Sequence, residues 1–148
     1  MSFLLDTCVI SELRKQNPDA GVSAWFETCD EDMLYLCTVT LGELRYGIDL
    51  LPDGKQKTAL RTWYEKIRLS YAGHILEVTL PAFERWGSTR AARQRVGCPL
   101  SIADGLIAAA AAVNSMTLVT RNTSDFVNRG VDILNPWHVF GEQTPSIR

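Results

Sequence analysis

The sequence has few of the residues that build zinc sites or disulfide frameworks. It contains only two histidines, His74 and His138, and four cysteines among 148 residues. No two cysteines form a Cys-X-X-Cys pair, and the histidines lack the spacing of zinc ligands. We therefore expect no zinc site, and cysteines that are reduced and buried in a cytosolic protein.

Long apolar stretches are also missing. The longest one, residues 106–113, is mostly alanine and is too short to span a membrane. The first residues carry no basic segment and reach a carboxylate at Asp6, which is not typical of a signal peptide. These absences favour a cytoplasmic protein that does not contact the membrane.

A strong excess of one charge is absent as well. The formal net charge is −2, which argues against tight, non-specific binding to nucleic acid. Residues 1–52 carry three basic and nine acidic side chains, whereas residues 53–95 carry nine basic and four acidic ones. The basic middle segment permits local contacts with phosphate groups, although solvated helix faces explain it equally well.

Short apolar runs alternate with helical patterns along most of the chain. The predicted strands cover residues 3–5, 34–39, 75–78, 117–120 and 131–134. The predicted helices cover residues 8–15, 20–29, 41–51, 55–70, 80–96 and 102–114, and a polar turn over residues 121–129 contains a further helical piece. This alternation predicts an α/β fold with a mostly parallel central sheet flanked by helices on both faces. We expect a single domain over residues 1–140 and a loose C-terminal tail over residues 141–148.

Four acidic residues follow apolar runs at or near the start of a predicted helix, namely Asp6, Glu43, Asp104 and Asp125. Because the carboxyl ends of parallel strands meet at one edge of a sheet, we expect these side chains to lie close together. Clustered carboxylates repel one another unless a cation neutralises them, and oxygen ligands select Mg²⁺ or Mn²⁺. The pattern predicts a metal-dependent enzyme that acts on a phosphate ester.

Each acid also has an ordinary structural explanation. Asp6 has the position of a cap for the helix that follows it. Glu43 and Asp104 each lie three residues after a threonine or serine, which is the spacing of a capping box. Asp125 lies in a polar loop, where aspartate is common because it stabilises turns. The argument for a site therefore depends on the recurrence of the four acids at equivalent positions.

The stretches around these acids together resemble a known family. They are Leu5 to Glu12, Thr40 to Gly47, Ile102 to Ala109 and Thr120 to Phe126. With these motifs in order, the chain resembles a PIN-domain ribonuclease, and most closely the VapC/FitB type of toxin in type II toxin–antitoxin pairs. The resemblance covers essentially the whole chain and implies a PIN-like (Rossmann-like) three-layer sandwich.

The resemblance also implies the roles of the acids. Asp6, Glu43 and Asp104 match the invariant acidic ligands of the family, which bind Mg²⁺ or Mn²⁺. Asp125 matches a further acid, and the four acids together are the expected catalytic and metal-binding set. Many relatives carry an acid where this chain has Asn122, so either Asn122 or Asp125 completes the site.

Other residues are assigned supporting roles by the same resemblance. Thr7 and Thr120 match polar positions that line the pocket of the family, whereas Cys8 stands where asparagine is common. Basic side chains are candidates to hold the RNA backbone, and a plain surface role is equally good for each of them. These candidates are Arg45, Arg90, Arg93, Arg95 and Arg121.

The activity implied by the resemblance is that of an endoribonuclease toxin, which hydrolyses RNA phosphodiester bonds. Its expected partner is a cognate VapB/FitA-type antitoxin, whose C-terminal segment would fill the acidic groove with a basic side chain. The expected assembly is a homodimer or a higher toxin–antitoxin complex.

Two other classes of function use parts of the same pattern. Receivers and haloacid-dehalogenase-like phosphotransferases also place an aspartate at a strand end. However, a dehalogenase needs a second carboxylate where this chain has Cys8, and a receiver needs a late lysine, whereas none follows Lys66. The other hypothesis is a regulatory PIN module that binds metal or nucleic acid without turnover, which only an assay separates from the nuclease.

Overall fold

A five-stranded sheet organises the fold. The computed structural model describes residues 1–126 and 130–139, and the tail predicted over residues 141–148 lies outside the described residues. The strand order is β3-β2-β1-β4-β5, and every pairing is parallel. The strands are β1 (Phe3–Leu5), β2 (Leu34–Cys37), β3 (Ile75–Leu76), β4 (Thr117–Val119) and β5 (Ile133–Leu134). The carboxyl ends of the strands therefore meet at one edge, as predicted.

Helices connect the strands and cover both faces of the sheet. Their bounds are α1 (Thr7–Leu13), α2 (Ala20–Thr28), α3 (Thr38–Asp49), α4 (Lys55–Ser70), α5 (Leu80–Arg95), α6 (Ile102–Val113), α7 (Thr123–Phe126) and α8 (Pro136–Val139). A 3₁₀ turn, Glu31–Met33, leads into β2. None of the helices in the described part of the chain has both the length and the apolar character needed to cross a membrane.

The central strand β1 divides the core into two layers. Leu4 and Leu5 are fully buried and belong to different apolar clusters, because successive residues of a strand point to opposite faces. The cluster around Leu5 packs the sheet against α1, α2 and α3. The cluster around Leu4 packs it against α6 and α7, where the fully buried Ala110 and Ala111 let α6 approach closely. The predicted α/β sandwich is confirmed.

The start of α3 differs from the prediction, and the difference affects the site. The predicted strand 34–39 ends at Cys37, and α3 begins immediately at Thr38 without a side-chain cap. Thr40 and Glu43 therefore lie inside the helix, so the predicted capping box is wrong and Glu43 has no capping role. At α6 the equivalent prediction holds in part, because Ser101 Oγ accepts a hydrogen bond of 3.1 Å from the backbone N of Asp104.

Two further expectations need correction. The predicted helices do not include the short helix α8, which begins at Pro136 in agreement with the preference of proline for the first turn. Of the four cysteines, Cys37 alone is buried, and Cys98 is exposed. The prediction that all four cysteines are buried is therefore wrong. Cys98 has apolar neighbours in the sequence, but it lies in a surface loop after α5.

We predict opposite effects for alanine at two helical glycines. A Cβ at Gly21 would lie 2.7 Å from the carbonyl oxygen of Pro136, so Gly21→Ala must push α8 away from α2. We expect a loss of about 1–3 kcal/mol in the free energy of unfolding. A Cβ at Gly47 would meet nothing within 4 Å, so Gly47→Ala should gain about 0.5–1 kcal/mol from better helix propensity. Urea denaturation measures both, and equal stability of the two variants would contradict the packing argument.

Candidate active site

Three of the predicted acids lie near one another at the carboxyl edge of the sheet. Asp6 directly follows β1 and is buried, Glu43 lies on α3 after β2, and Asp104 lies in the first turn of α6. Burial raises the pKa of Asp6, and the charge of Asp104 raises it further. Burial also raises the pKa of Glu43, with added contributions from Asp104 and Asp6. The site is therefore a set of partly desolvated carboxylates that repel one another.

The Asp6 carboxylate is held by neutral donors. Its Oδ1 accepts a hydrogen bond of 2.8 Å from the backbone N of Thr7, and its Oδ2 accepts one of 2.7 Å from Thr120 Oγ1. The thiol of Cys8 donates to Oδ2 at 3.6 Å. Thr120 is fully buried, and its Oγ1 in turn accepts from the backbone N of Asn122 at 3.1 Å. These contacts determine the orientation of the carboxylate without neutralising its charge.

The hydroxyl groups of Thr7 and Thr40 lie beside Glu43. Thr7 Oγ1 donates a hydrogen bond of 2.7 Å to Glu43 Oε1, which joins the start of α1 to α3. The same hydroxyl lies 3.2 Å from Thr40 Oγ1, and Thr40 is fully buried. Thr40 was not predicted as a site residue. Its signal, a threonine one helical turn before Glu43, was present in the sequence but was interpreted as part of a capping box.

The fourth acid is placed differently. Asp125 lies in α7 and is half-buried, and its backbone carbonyl accepts a hydrogen bond from Arg93. The mutual charge effects that raise the pKa values of Asp6 and Glu43 come from the first three acids and do not involve Asp125. Asn122 is exposed, and it contacts the site through its backbone N–H. The structure therefore does not bring the Asp125 carboxylate into contact with the other three acids, and Asn122 approaches them only through its backbone N–H.

The chemistry of the donors suits a hard divalent cation. The side chains available are carboxylates and threonine hydroxyls, and burial destabilises the charged forms of Asp6 and Glu43. Over residues 1–126 and 130–139, however, no group of three or more His, Cys, Asp or Glu side chains is arranged so that it could hold a metal ion. A cation at this edge would need additional oxygen ligands, such as water.

Four of the five candidate arginines have exposed side chains. Arg45 forms an ion pair of 2.9 Å with Asp49, and the guanidinium of Arg121 lies 5.4 Å from the centre of the Trp137 ring. Arg90 lies 5.3 Å from the centre of the Trp86 ring, and Arg95 is exposed at the end of α5. Guanidinium groups over aromatic rings retain their charge and remain accessible to phosphates.

Arg93 does not fit the same prediction. It is 5% exposed, and its Nε donates a hydrogen bond of 2.6 Å to the carbonyl of Cys98, while Nη1 donates to the carbonyl of Asp125. A side chain that is buried and bonded in this way argues against the predicted contact with RNA.

A separate groove of about 620 Å³ lies away from the carboxylates. It runs between α1, α2 and α4, and its apolar walls include Phe26, Trp63 and Ile67. Arg14 and His74 add polar groups to its lining. None of the predicted site residues lines this groove, so it is a distinct surface feature.

Comparison with known proteins agrees with this architecture. The PIN domain family model matches residues 3–130. The chain is 38% identical over 136 residues to VapC ribonuclease Y4jK of Sinorhizobium fredii, covering 91% of this chain and 97% of that protein. It is 38% identical over 137 residues to toxin FitB of Neisseria gonorrhoeae, covering 92% of this chain and 99% of that protein.

Solved structures show the same similarity. The structure of FitAB bound to an IR36 DNA fragment superposes with a TM-score of 0.85 and 38% identity, covering 93% of this chain and 96% of that chain. The crystal structure of FitAcB from Neisseria gonorrhoeae gives a TM-score of 0.84 and 38% identity, covering 93% of this chain and 99% of that chain.

The raised pKa of Glu43 predicts a pH-dependent stability. The folded protein holds this proton to higher pH than the unfolded chain does, so stability falls as pH rises through the folded pKa. Glu43→Gln removes the charge and keeps an acceptor for Thr7. Without metal at pH 7 we expect a higher melting temperature, by about 2–4 °C for each kcal/mol of repulsion removed.

The gain should vanish as pH falls to about 4, where the unfolded glutamate also becomes protonated. Thermal melts of the metal-free parent protein and of Glu43→Gln between pH 4 and 8 measure this gain in melting temperature. Glu65→Gln, at an exposed position on α4, is the matched control and should show no such gain. A gain that is the same at pH 4 and pH 7 would argue against carboxylate repulsion.

The hydrogen bond from Thr120 makes a second prediction about Asp6. This bond lowers the pKa of Asp6 and so partly opposes the effect of burial. Thr120→Val keeps the shape of the side chain and removes the donor, so Asp6 should titrate at a higher pH than in the parent protein. Carboxyl NMR titration measures this, with Thr62→Val on the exposed face of α4 as control. An unchanged titration of Asp6 in Thr120→Val would show that the bond is not formed in solution.

Proposed function

The chain belongs to the PIN-domain family, and on that premise we propose that it is a VapC/FitB-type toxin that hydrolyses RNA phosphodiester bonds with a divalent metal ion. The observation that carries this proposal is the group of Asp6, Glu43 and Asp104 at one sheet edge, with raised pKa values for Asp6 and Glu43. Carboxylates that are partly desolvated and have no cationic partner are typical of a functional site, and a bound cation would neutralise them. The ribonuclease name of one relative supports the choice of substrate.

Asp6, Glu43 and Asp104 are the residues that would hold Mg²⁺ or Mn²⁺, with Asp125 or the amide of Asn122 as an outer ligand. When bound, the ion supplies Lewis-acid chemistry, which stabilises the negative charge that develops on the phosphate. Since no group of three such side chains in the described residues is arranged to hold a metal ion, the acids would have to move closer together, and water and substrate oxygens would have to supply further ligands.

The residues of the chain have separate tasks in this mechanism. Thr120 and the backbone N of Thr7 keep the Asp6 carboxylate in one orientation, and the hydroxyl of Thr7 does the same for Glu43. Asp125, which is half-buried in α7, would orient the attacking water and accept its proton. Fixed carboxylates do not need to reorganise when the phosphate binds, which favours the reaction.

Exposed basic side chains would hold the RNA backbone. Arg121 is nearest in sequence to the site residues, and its guanidinium lies over the ring of Trp137. Arg45, Arg90 and Arg95 are further candidates, and each contact would contribute position and not sequence preference. The net charge of −2 means that such contacts must be local.

A cognate antitoxin of the VapB/FitA type is the proposed partner. Similar solved structures are FitAB and VapBC complexes, some of them bound to DNA. The antitoxin would place a basic side chain beside the three carboxylates, and the groove between α1, α2 and α4 gives it an apolar surface. We further propose a cytoplasmic homodimer that forms a higher assembly with antitoxin, and a PIN unit that extends to residue 140.

The test is cleavage of a mixed cellular RNA pool by the purified, partner-free protein. We expect cutting with Mg²⁺ or Mn²⁺ and none with chelator. Asp104→Asn should lower the rate by at least about 100-fold, because even outer-shell partners of a metal contribute 10–100-fold. Asp53→Asn is the matched control, since Asp53 is 98% exposed in a turn and should cut like the parent protein.

The opposite outcomes are informative as well. Cutting that persists in chelator and in Asp104→Asn would remove the proposed mechanism. A folded protein that binds Mn²⁺ but cuts no RNA in any lane would favour the regulatory PIN module that binds without turnover.

A further inference from the structure

Arg93 is a buried cation outside the carboxylate group. It lies in the last turn of α5 and is 5% exposed. Burying a guanidinium is costly unless its donors are well satisfied. Among the ion pairs of the described residues, none includes Arg93, so its burial is not explained by a carboxylate partner.

The donors of Arg93 join two segments that carry site residues. Its Nε donates to the carbonyl of Cys98 at 2.6 Å, and Cys98 lies in the loop that leads into α6 and Asp104. Its Nη1 donates to the carbonyl of Asp125 in α7. The planar guanidinium therefore bonds both segments. One segment leads to Asp104 and the other carries Asp125, which are the two acids furthest from β1 in the sequence.

Other contacts make this arrangement stiff. The backbone N of Cys98 donates to the carbonyl of Arg93 at 3.0 Å, so the loop is bonded to Arg93 from both directions. Next to Asp125, Phe126 is 1% exposed and packs in the same cluster as Ile107 of α6. The position of Asp125 is thus fixed by the hydrogen bond from Arg93 to its carbonyl and by the packing of its neighbour Phe126 in the core.

We propose that Arg93 is a positioning residue of the active site, which holds the loop before Asp104 and the α7 segment of Asp125 in register with each other. Its consequence for cleavage rests on the proposed function, whereas its effect on the two segments does not. The role requires the fork of a guanidinium, because two carbonyls must be reached at once, and a lysine ammonium can satisfy only one of them in this geometry.

Two substitutions of Arg93 distinguish this positioning role from a direct contact with RNA. Arg93→Lys keeps the positive charge, so a contact with phosphate would survive this substitution. The pair of hydrogen bonds to the carbonyls of Cys98 and Asp125 would not survive it. Arg93→Met keeps the stem and removes all donors. Arg68→Met, at an exposed position paired with Glu65, is the matched arginine control.

Hydrogen exchange on the metal-free, partner-free protein is the first measurement. In Arg93→Met we expect exchange over residues 96–104 and 121–126 to rise by about tenfold or more, as expected for the loss of a charge-assisted hydrogen bond. In Arg93→Lys, which can keep one of the two bonds, we expect the same rise in the segment whose bond is lost. Exchange of β1 should be unchanged. Mn²⁺ binding should weaken by about 10–100-fold, the usual effect of losing a group that orients metal ligands.

RNA cleavage is the second measurement. A positioning role predicts that kcat falls by about 10–100-fold while KM stays within about twofold. A raised KM with normal kcat in Arg93→Met, together with normal behaviour of Arg93→Lys, would overturn the proposal in favour of an RNA contact. Unchanged exchange in both segments would also overturn it.

The two proposals fail separately. If the parent protein cuts no RNA, the proposed function fails, while the exchange and Mn²⁺ measurements still decide the role of Arg93. If Arg93→Met does not fold, Arg93→Lys carries the test, because it retains the charge and one of the two bonds.

Discussion

The site depends on one hydrogen bond, from Thr120 to Asp6, which the register of the central strands makes possible. Leu5 pairs with Val119, and the backbone N of Asp6 donates to the carbonyl of Val119 at 2.9 Å. The next residues on the two strands therefore lie side by side, and the buried hydroxyl of Thr120 meets the carboxylate at 2.7 Å. Because β1 and β4 are parallel and buried on both faces, this pair cannot shift without disturbing both core clusters.

Neutral hydroxyl groups hold the carboxylates of this site. A cationic side chain could have held them as well. In the described residues, none of the ion pairs involves Asp6, Glu43 or Asp104. A lysine or arginine would have stabilised the charges and lowered the pKa values, but it would also have occupied the space that the proposed cation needs. Threonine donors orient the carboxylates and leave their negative charge available.

This choice has a cost in stability. Burial and mutual repulsion raise the pKa values of Asp6 and Glu43, which means that the folded state is strained in its ionised form. Functional sites often destabilise the fold that carries them. Here the rest of the chain offsets the strain with a sheet whose central residues, Leu4 and Leu5, are fully buried.

The sequence by itself determined the alternation of the five strands with the longer helices, and it indicated three acids as candidates for a site. It could do so because periodicity and position relative to apolar runs are local properties. It could not separate a capping box from a site at Thr40 and Glu43, since both need the same spacing. Tertiary structure alone decided that Thr7 bonds Glu43, 36 residues away, and that Thr120 bonds Asp6, 114 residues away. It also decided that Arg93 is buried while Arg90 and Arg95 are exposed. The physical reason is that burial and hydrogen-bond partners depend on which distant segments pack together, and no local pattern in one sequence records that.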